Sequence, residues 1–444
     1  MRISVVGAGY VGLVSGVCFA EIGHECVCVD VDASKVERIN KGMAPIHEAG
    51  LDELLSRHAG KRFRATTDLK KAVLESEVTF IAVGTPFDGV KIDLAYIREA
   101  TLQIGAALRE KAEYHTVIVK STVVPSTTDS VVRPLLEQAS GKQAGRDFGL
   151  GMNPEFLTEG VAIDDFMKPD RIVLGGIDAR SIDVQRRVYA PFERVPVLSV
   201  NNATAEMIKY ASNSVLATFI SFSNEIANVC ESLGNVDAAE VMKGVHLARY
   251  FNVPSPDGVQ SNAPITSFLW PGCGYGGSCL PKDTKALSAH ASSLGAAMPL
   301  LDSVIAINQA RPLHMLALLE KHYSSLRGVT VCLLGLAFKE DTDDVRESPA
   351  IPLARILLER GARVCGFDPV ANQSAAAVLP PQVHLFDSLE EAVLDADALF
   401  LITRWRDFNR VPELVRGSSN PPLIVDGRRY LEPSSVARYE GIGR

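Results

Sequence analysis

Short apolar runs alternate with amphipathic stretches along the first 200 residues. The runs are rich in β-branched residues, and they predict strands over residues 3–6, 26–30, 78–83, 116–120, 149–152 and 171–174. Between them, stretches such as residues 34–41 and 94–111 carry apolar side chains at helical spacing. Strands that alternate with helices predict a parallel sheet covered on both faces.

The pattern then changes to one long helix over residues 204–233. Its apolar side chains recur at three- and four-residue steps, and Gly234 followed by Asn235 is typical of a helix end. Helical segments continue to about residue 319, interrupted by a loop over residues 250–277 that is rich in Pro, Gly, Ser and Asn. The length of this loop indicates more than a connection.

A second set of strands and helices begins at Val329. Strands are predicted over residues 329–334, 363–368, 398–403 and 423–426, with a helix over residues 350–360. This layout repeats that of the first 200 residues. The sequence therefore predicts an α/β protein with two Rossmann-like doubly wound domains joined by a long central helix, and domains over residues 1–203, 204–312 and 313–444.

Composition narrows the class of protein. The 47% hydrophobic and 22% charged residues are typical of a globular protein, and a net charge of -8 argues against a nucleic-acid partner. No apolar run approaches the roughly 18 residues that span a bilayer, so no membrane partner is predicted. The eight cysteines form no C-x-x-C pair and no zinc spacing. We expect no metal, no disulfides and a reducing, cytoplasmic location.

The first predicted strand ends in a dinucleotide fingerprint. Gly7, Gly9 and Gly12 form a G-x-G-x-x-G pattern between a strand and a helix, and Asp30 ends the next strand. Gly7 allows the tight turn, Gly9 lets the backbone approach a pyrophosphate, and Gly12 permits close packing of helix on sheet. Asp30 can accept a hydrogen bond from a ribose hydroxyl and would repel a 2′-phosphate, which favours NAD over NADP.

Residues 276–283 read Gly-Gly-Ser-Cys-Leu-Pro-Lys-Asp. They place Cys279 on a glycine-rich turn, with Pro281 at a predicted helix start and Lys282 and Asp283 just beyond it. A neighbouring cation and a helix N-terminus both favour the reactive thiolate. Taken alone, the stretch fits a buried core cysteine on a Gly-Pro turn equally well.

The combination of NAD and an activated cysteine indicates a particular chemistry. An enzyme that carries an alcohol to an acid must convert the intermediate aldehyde into a species that can give a second hydride. A cysteine does this by forming a thiohemiacetal, which is oxidised to a thioester and hydrolysed.

Four polar residues lie at one strand end and on one helix face. Lys209 and Asn213 are spaced i, i+4 and can donate together to a developing oxyanion, or they can form a solvent-facing side of the helix. Glu155 and Glu159 follow a predicted strand. They can serve as base and binding group, or they can simply begin a helix.

The second α/β domain shows a different turn after its first strand. Gly335 there is not part of a G-x-G-x-x-G pattern, so a second dinucleotide is not predicted. Lys339, Arg346, Arg428 and Arg429 instead provide cations that suit a phosphorylated ligand, although residues 339–346 also fit a solvated charged loop.

Several segments resemble the nucleotide-sugar 6-dehydrogenases, the family of UDP-glucose and GDP-mannose 6-dehydrogenases. The matching segments are residues 7–12, 83–86, 120–122, 153–160, 209–213, 276–283, 335–348 and 426–429. The resemblance covers essentially the whole chain. It implies an NAD domain over residues 1–203, a central helical dimerisation region over 204–312 that carries the cysteine loop, and a nucleotide-sugar domain over 313–444. It also implies oxidation of the sugar C6 hydroxyl to a carboxylate with two NAD, through a thiohemiacetal and a thioester on Cys279.

The resemblance implies roles for residues at the matching motif positions. The implied catalytic residues are Cys279, Lys209, Asn213, Asp283, Glu155 and Thr122. The implied cofactor-binding residues are Gly7, Gly9, Tyr10, Val11, Gly12, Asp30, Lys35, Thr85, Pro86, Thr122, Glu159, Lys282 and Arg346. The implied substrate-binding residues are Glu155, Phe156, Leu157, Lys209, Asn213, Arg249, Phe268, Gly276, Cys279, Phe338, Lys339 and Arg428.

Within that set, Cys279 resembles the nucleophile and Asp283 the residue that positions or activates a water. Lys209 and Asn213 resemble the oxyanion stabilisers, and Glu155 resembles a base in thioester hydrolysis. The implied partners are a nucleotide-sugar substrate and a second copy of the chain in a homodimer.

The segments point to more than one sugar nucleotide. The Cys-x-Pro-Lys-Asp pattern is similar to the glucose and mannose branches. Residues 169–173 are closer to UDP-glucose enzymes, whereas residues 115–119 and 140–149 are closer to GDP-mannose enzymes. UDP-glucose is the favoured substrate, and GDP-mannose and a two-electron hydroxyacid dehydrogenase are the alternatives. An insertion over residues 250–267, which separates Arg249 from Phe268, departs from the family pattern.

Overall fold

The computed structural model describes residues 1–254 and 260–444, so part of the insertion over residues 250–267 lies outside the described residues. The chain divides into two compact units, Met1–Ser212 and Asn213–Arg444. The predicted domain boundaries at residues 203 and 312 stay predictions.

An eight-stranded sheet forms the centre of the first unit. Its strands are Arg2–Val6 (β1), Glu25–Val29 (β2), Phe63–Thr66 (β3), Val78–Ile81 (β4), Thr116–Val119 (β5), Gly149–Met152 (β6), Ile172–Gly176 (β7) and Val197–Val200 (β8). They lie in the order β3-β2-β1-β4-β5-β6-β7-β8, of which the first six follow the order of a doubly wound nucleotide-binding sheet. β3 and β8 were not predicted from the sequence, because exposed Arg64 interrupts the apolar pattern of β3 and β8 is mostly exposed.

One strand pair corrects the expectation of a wholly parallel sheet. β7 pairs antiparallel with β6 through Gly151↔Gly176 and Met152↔Gly175, and β8 pairs parallel with β7. An antiparallel neighbour needs no long crossover connection. The connection over residues 153–171 is nonetheless long enough for a crossover and carries the short helix Ala162–Met167, so its length gave no sign of the antiparallel pairing.

Helices pack against both faces of this sheet. They are Tyr10–Glu21 (α1), Ala33–Asn40 (α2), Leu51–His58 (α3), Leu69–Glu75 (α4), Ala95–Glu110 (α5), Arg133–Ser140 (α6), Ala162–Met167 (α7) and Ala179–Val188 (α8), with a π-helical turn at Thr128–Val132. Successive residues of a strand point to opposite faces. Accordingly, Cys26 and Cys28 of β2 belong to one apolar cluster and Val27 and Val29 to another.

The 32-residue helix Asn202–Leu233 (α9) confirms the predicted long helix and begins two residues earlier than predicted. It continues from the first unit into the second. Gly234, with φ +72°, follows it directly in the left-handed conformation that commonly ends helices. The sequence signal for the helix end was therefore sufficient.

The first part of the second unit is mainly helical. Its helices are Ala238–His246 (α10), Leu280–Ser293 (α11) and Pro299–Glu320 (α12), with short helical turns at Arg249–Phe251 and Pro264–Ser267. Asn252–Pro254 (β9) and Gln260–Asn262 (β10) form an antiparallel pair within the stretch predicted as a loop. The insertion therefore contains regular structure on both sides of the residues that are not described.

A six-stranded parallel sheet forms the rest of the second unit. Its strands are Thr330–Leu334 (β11), Arg363–Phe367 (β12), His384–Leu385 (β13), Ala398–Leu401 (β14), Leu423–Asp426 (β15) and Tyr439–Gly441 (β16). Its helices are Ala350–Glu359 (α13), Asn372–Ala376 (α14), Leu389–Leu394 (α15) and Val411–Leu414 (α16). The order β13-β12-β11-β14-β15-β16 repeats the doubly wound order of the first unit, which confirms the predicted fold class. Among the residues described, no helix has the length and apolar character needed to cross a bilayer.

Candidate active site

The turn between β1 and α1 has the geometry that its glycines predict. Gly7 takes φ +106°, and a Cβ there would lie 2.6 Å from the Ala82 carbonyl oxygen. A Cβ on Gly12 would lie 1.9 Å from the Gly7 carbonyl oxygen. Gly9 precedes the first residue of α1, and a Cβ there would meet no atom within 4 Å. The helix N-terminus is therefore open at Gly9, which fits the close approach of a pyrophosphate.

Asp30 lies at the carboxyl end of β2, beside this turn. Its Oδ2 accepts a hydrogen bond of 2.9 Å from the Ala8 N–H and lies 3.4 Å from Lys35 Nζ. Its Oδ1 accepts from the Asp32 N–H at 3.0 Å. The fingerprint turn, Asp30 and Lys35 are thus brought together, as the sequence predicts for a ribose-binding edge.

The loops after β4 and β5 are joined by a hydrogen bond. The Thr85 hydroxyl donates to the Thr122 carbonyl oxygen at 2.8 Å. The Pro86 carbonyl, next in the chain, accepts from the Asp93 N–H at 2.8 Å. Because β4 and β5 are neighbouring parallel strands, both loops lie at the same sheet edge. Thr85, Pro86 and Thr122 therefore form one local group in the first unit.

A buried ion pair joins Glu155 and Lys209 within the first unit. Lys209 Nζ lies 2.9 Å from Glu155 Oε1, and the two side chains are 4% and 5% exposed. Glu155 Oε2 accepts from the Leu157 N–H at 2.7 Å, and Lys209 Nζ lies 5.6 Å from the Phe156 ring. The solvent-facing alternative for Lys209 is therefore wrong, and four of the predicted substrate-binding residues are brought together.

The charge of Lys209 controls the ionisation of Glu155. Burial acts to raise the pKa of Glu155, but the attraction and hydrogen bond from Lys209 outweigh it and hold the pKa below its usual value. The carboxylate is consequently ionised at neutral pH. An ionised carboxylate can accept a proton, as a general base requires.

Lys120 is a further cation that the sequence analysis did not single out. It lies just after β5, is buried, and donates from Nζ to Asn153 Oδ1 at 2.8 Å. The Tyr189 hydroxyl donates to the same oxygen at 2.6 Å. Burial lowers the pKa of Lys120 to about 8, and the attraction of Glu155 opposes this shift. A lysine at the end of a buried strand was the signal available in the sequence.

The turn that follows Glu159 is tied to the fingerprint helix. Glu48, 6% exposed, accepts from the Gly160 N–H at 2.7 Å and from the Ala162 N–H at 2.8 Å. The Tyr10 hydroxyl also donates to Glu48. Burial, reinforced by this hydrogen bond, raises the pKa of Tyr10. Glu48, which was not predicted as a site residue, thus joins Tyr10, a predicted cofactor residue, to the backbone of Gly160, the residue after Glu159.

In the second unit, Cys279 lies at the N-terminus of α11. The Asp283 N–H donates to the Cys279 carbonyl oxygen at 2.9 Å, and Pro281 lies in the first turn, which confirms the predicted helix start. Cys279 is partly exposed, whereas the other seven cysteines are buried. The fully buried core alternative is therefore wrong for Cys279. Its position at a helix N-terminus favours the thiolate.

Asp283 is buried beside Cys279 with both carboxylate oxygens engaged. Asn213 Nδ2 donates to Oδ2 at 2.6 Å, and Lys282 Nζ donates to Oδ1 at 2.6 Å. Asp283 is 1% exposed and Asn213 is 7% exposed, so the solvent-facing alternative is also wrong for Asn213. The amide and the ammonium orient a carboxylate four residues from the thiol.

Phe338 and Arg428 lie against the loop that precedes Cys279. A Cβ on Gly277 would come within 2.8 Å of the Phe338 ring. The Arg428 guanidinium donates from Nη1 to the Gly274 carbonyl at 2.9 Å, from Nη2 to the Phe338 carbonyl at 3.3 Å, and from Nε to the Ile402 carbonyl at 2.6 Å. Arg428 therefore connects three backbone segments by hydrogen bonds. Its contact with substrate stays a prediction.

The other three predicted cationic residues of the second unit, Arg429, Arg346 and Lys339, differ in their contacts. Arg429 Nη2 donates to both carboxylate oxygens of Asp237 at 2.9 and 2.7 Å, so its charge is compensated within the unit. Arg346 forms an ion pair of 2.7 Å with Asp344 and is 63% exposed. Lys339 Nζ lies 6.0 Å from the Phe338 ring.

Arg249 and Phe268 lie on either side of the insertion. Arg249 is exposed at the start of the turn Arg249–Phe251. Phe268 directly follows the turn Pro264–Ser267 and is partly buried. Their substrate contacts stay predictions.

Comparison with known proteins identifies the family. Models of the UDP-glucose/GDP-mannose dehydrogenase family match three successive stretches: the NAD binding domain over residues 1–193, the central domain over 203–310 and the UDP binding domain over 332–433. This protein belongs to the UDP-glucose/GDP-mannose dehydrogenase family. It is an NAD-dependent nucleotide-sugar dehydrogenase, and the glycine turn of its first unit fits the NAD that the family's N-terminal domain binds.

Relatives with either of two substrates in their names match this dehydrogenase over its full length. A UDP-glucose 6-dehydrogenase of Haloferax volcanii is 42% identical over 447 residues, with 100% of both chains covered. A GDP-mannose 6-dehydrogenase of Pseudomonas aeruginosa is 39% identical, again with 100% of both chains covered. The solved structure of a UDP-glucose dehydrogenase from Pyrobaculum islandicum has a TM-score of 0.90 and 38% identity, covering 99% of this chain and 97% of that one.

Alanine substitutions at two glycines of the NAD turn should distinguish an effect on NAD binding from an effect on folding. Gly9→Ala adds a methyl group that meets no protein atom, and the φ of -74° at Gly9 suits alanine, so we expect an unchanged melting temperature. The methyl group faces the expected pyrophosphate, so the KM for NAD should rise on the order of tenfold. Thermal unfolding and NAD-dependent kinetics measure the two effects.

Gly12→Ala is the matched control for that prediction. Its Cβ would lie 1.9 Å from the Gly7 carbonyl oxygen, so this substitution should lower the melting temperature as well as NAD binding. Equal loss of stability in both variants would contradict the assignment of Gly9 to cofactor approach.

Proposed function

We propose that this dehydrogenase oxidises the C6 hydroxyl of UDP-glucose to a carboxylate, forming UDP-glucuronate with the reduction of two NAD. The observation that carries the covalent mechanism is the partly exposed Cys279 at the N-terminus of α11. UDP-glucose is favoured because the C-terminal stretch matches a UDP binding domain and the Haloferax volcanii relative at 42% identity is named a UDP-glucose 6-dehydrogenase.

NAD supplies the hydride acceptor in both oxidations. The first oxidation removes a proton and a hydride from the C6 alcohol and leaves an aldehyde. Cys279 Sγ then adds to the aldehyde carbon, and the aldehyde oxygen takes a proton to complete a thiohemiacetal. Loss of the hydroxyl proton and of the C6 hydride gives a thioester. Water adds to the thioester, the C–S bond breaks, and the products are the carboxylate and the Cys279 thiolate, so that four electrons leave the substrate.

Polar side chains act on the oxygens and the water in this scheme. Lys209 and Asn213 lie one turn apart on α9 and donate to the oxygen that becomes negative when sulfur or water adds. Glu155, kept ionised by Lys209, accepts a proton from the attacking water. Asp283 and Thr122 help to position that water. The remaining residues that the family resemblance implies for cofactor and substrate binding are proposed to make those contacts.

Counting NADH with purified nucleotide sugars tests this function. With limiting UDP-glucose, we expect two NADH per sugar and a carboxylate product, because the thioester route removes two hydrides. One NADH per sugar would instead indicate a two-electron dehydrogenase. Faster turnover of GDP-mannose at equal concentration would assign the alternative substrate, which the GDP-mannose 6-dehydrogenase relative of Pseudomonas aeruginosa supports.

We also propose that the dehydrogenase is a cytoplasmic homodimer. Helix α9 carries exposed apolar side chains, Val215, Phe222, Val229 and Leu233, each between 47% and 60% exposed. A row of apolar side chains on one helix favours burial against a partner. Light scattering of the purified chain tests this proposal: a dimer mass is expected, and Phe222→Glu should shift the mass toward the monomer.

A further inference from the structure

The loop that leads to Cys279 is irregular but firmly held. The Gly272 N–H donates to Asn224 Oδ1 at 2.8 Å, and the Gly272 carbonyl accepts from Arg311 Nε at 3.1 Å. The Cys273 N–H donates to the Gly427 carbonyl at 2.7 Å. Side chains and neighbouring backbone therefore replace the hydrogen bonds that a helix or strand would supply.

Asn308, in the middle of α12, makes the most specific of these contacts. Its Oδ1 accepts from the Tyr275 N–H at 2.8 Å, and its Nδ2 donates to the Tyr275 carbonyl at 2.9 Å. The side-chain amide thus pairs with one residue's backbone as a neighbouring strand would. Two opposed hydrogen bonds fix both the position and the orientation of that residue.

The residues on either side of Tyr275 are glycines, and a side chain at either position would collide with neighbouring atoms. Gly274 takes φ +92°, and a Cβ there would lie only 2.4 Å from Asn308 Oδ1. A Cβ on Gly276 would lie 2.3 Å from the Glu347 carbonyl oxygen. The close approach of Asn308 on one side and of Glu347 on the other leaves the loop little room to shift.

We propose that Asn308 is a positioning residue for Cys279: by holding Tyr275, it keeps the loop in the conformation that presents the sulfur for attack. This inference rests on the proposed function, in which Cys279 is the nucleophile. Tyr275 precedes Cys279 by four residues, and the Cys279 carbonyl then begins the hydrogen bonding of α11. Asn308 acts through the loop backbone.

Replacing the amide by a carboxylate tests the inference with minimal change of shape. Asn308→Asp keeps an acceptor for the Tyr275 N–H but removes the donor to the Tyr275 carbonyl and brings two oxygens together. A displacement on the order of 1 Å at a reacting group lowers a rate by roughly 10- to 100-fold. We therefore expect kcat to fall by that factor, while the KM for NAD stays within about threefold because the substitution leaves the contacts of the glycine turn unchanged.

Gln309→Glu is the matched control. It makes the same amide-to-carboxylate change at the next residue of α12, which is exposed. Its kcat should equal that of the wild type. The second readout is the rate at which iodoacetamide alkylates Cys279 in the full-length protein without substrate, followed by mass spectrometry across pH. Asn308→Asp should change this rate profile, and Gln309→Glu should not.

The outcomes distinguish a role of Asn308 in positioning Cys279 from a role in protein stability alone. Wild-type kcat and alkylation in Asn308→Asp, even with a lower melting temperature, would make Asn308 a structural brace and overturn the inference. If Asn308→Asp does not fold, Asn308→Ser is measured in the same way and decides the question. Alkylation needs no substrate, so it tests the role of Asn308 independently of the reaction. If Cys279→Ser still forms acid, the proposed function is wrong. A changed alkylation profile in Asn308→Asp would still show that Asn308 positions Cys279.

Discussion

Cys279→Ser is expected to lose net acid formation while still binding NAD. A serine hydroxyl is a much weaker acid than a thiol and forms the attacking anion far less readily, so the aldehyde is not captured as a thiohemiacetal. We expect the rate of acid formation to fall at least about 10³-fold, in line with the removal of a catalytic nucleophile. Coupled NADH and product chromatography measure the loss, and calorimetric titration measures NAD binding.

Cys273→Ser provides the control for the same substitution in the same loop. Cys273 is 1% exposed, and its Sγ lies 3.6 Å from the Ile402 carbonyl oxygen, a contact that a serine hydroxyl can reproduce. Its activity should stay within a few-fold of the wild type. Acid formation at the wild-type rate by Cys279→Ser would rule out the covalent mechanism.

Lys209→Met is expected to impair both catalysis and folding. It removes one of the two oxyanion donors, which typically costs about 10²- to 10³-fold in kcat. It also leaves Glu155 buried without its main partner, and breaking a buried ion pair in this way costs about 3–5 kcal/mol of the free energy of unfolding. Kinetics with saturating NAD and urea unfolding measure the two effects.

The loss of stability in Lys209→Met should depend on pH. In the wild type the pKa of Glu155 lies below its usual value, so the stabilisation from ionisation is present above the unfolded pKa and is lost as pH falls through the folded pKa. Without Lys209, burial is no longer outweighed and raises the pKa of Glu155 above its unfolded value. The penalty in the variant is then largest at neutral pH and shrinks as the pH falls toward about 4.3, the usual pKa of a glutamate. Unfolding at pH 7.5 and pH 5 measures the difference.

Lys168→Met is the control for charge removal at the surface. Lys168 pairs with Asp164 at 2.6 Å, but the two side chains are 77% and 67% exposed. Such pairs contribute about 0–1 kcal/mol, so this variant should unfold like the wild type at both pH values. A pH-independent penalty in Lys209→Met would contradict the account of Glu155.

Features with a local cause were predictable from the sequence. The apolar spacing of α9 and the stop at Gly234 depend on residues within a few turns of one another, so the pattern was sufficient to place the helix. The glycine turn after β1 and the helix start at Cys279 likewise follow from local steric requirements. The strands β3, β8, β13 and β16 were missed because none of them contains an uninterrupted buried apolar run.

The sequence by itself determined the α/β class, the two doubly wound sheets, the NAD turn and the identity of the candidate nucleophile. Only the tertiary structure decided that β7 runs antiparallel to β6, that Lys209 forms a buried ion pair with Glu155, and that Asn308 is hydrogen-bonded to Tyr275 in the Cys279 loop. Asn213 and Asp283 are 70 residues apart in the chain, and Asn308 and Tyr275 are 33 apart. Burial and partners at such separations are set by packing, and no local pattern encodes them.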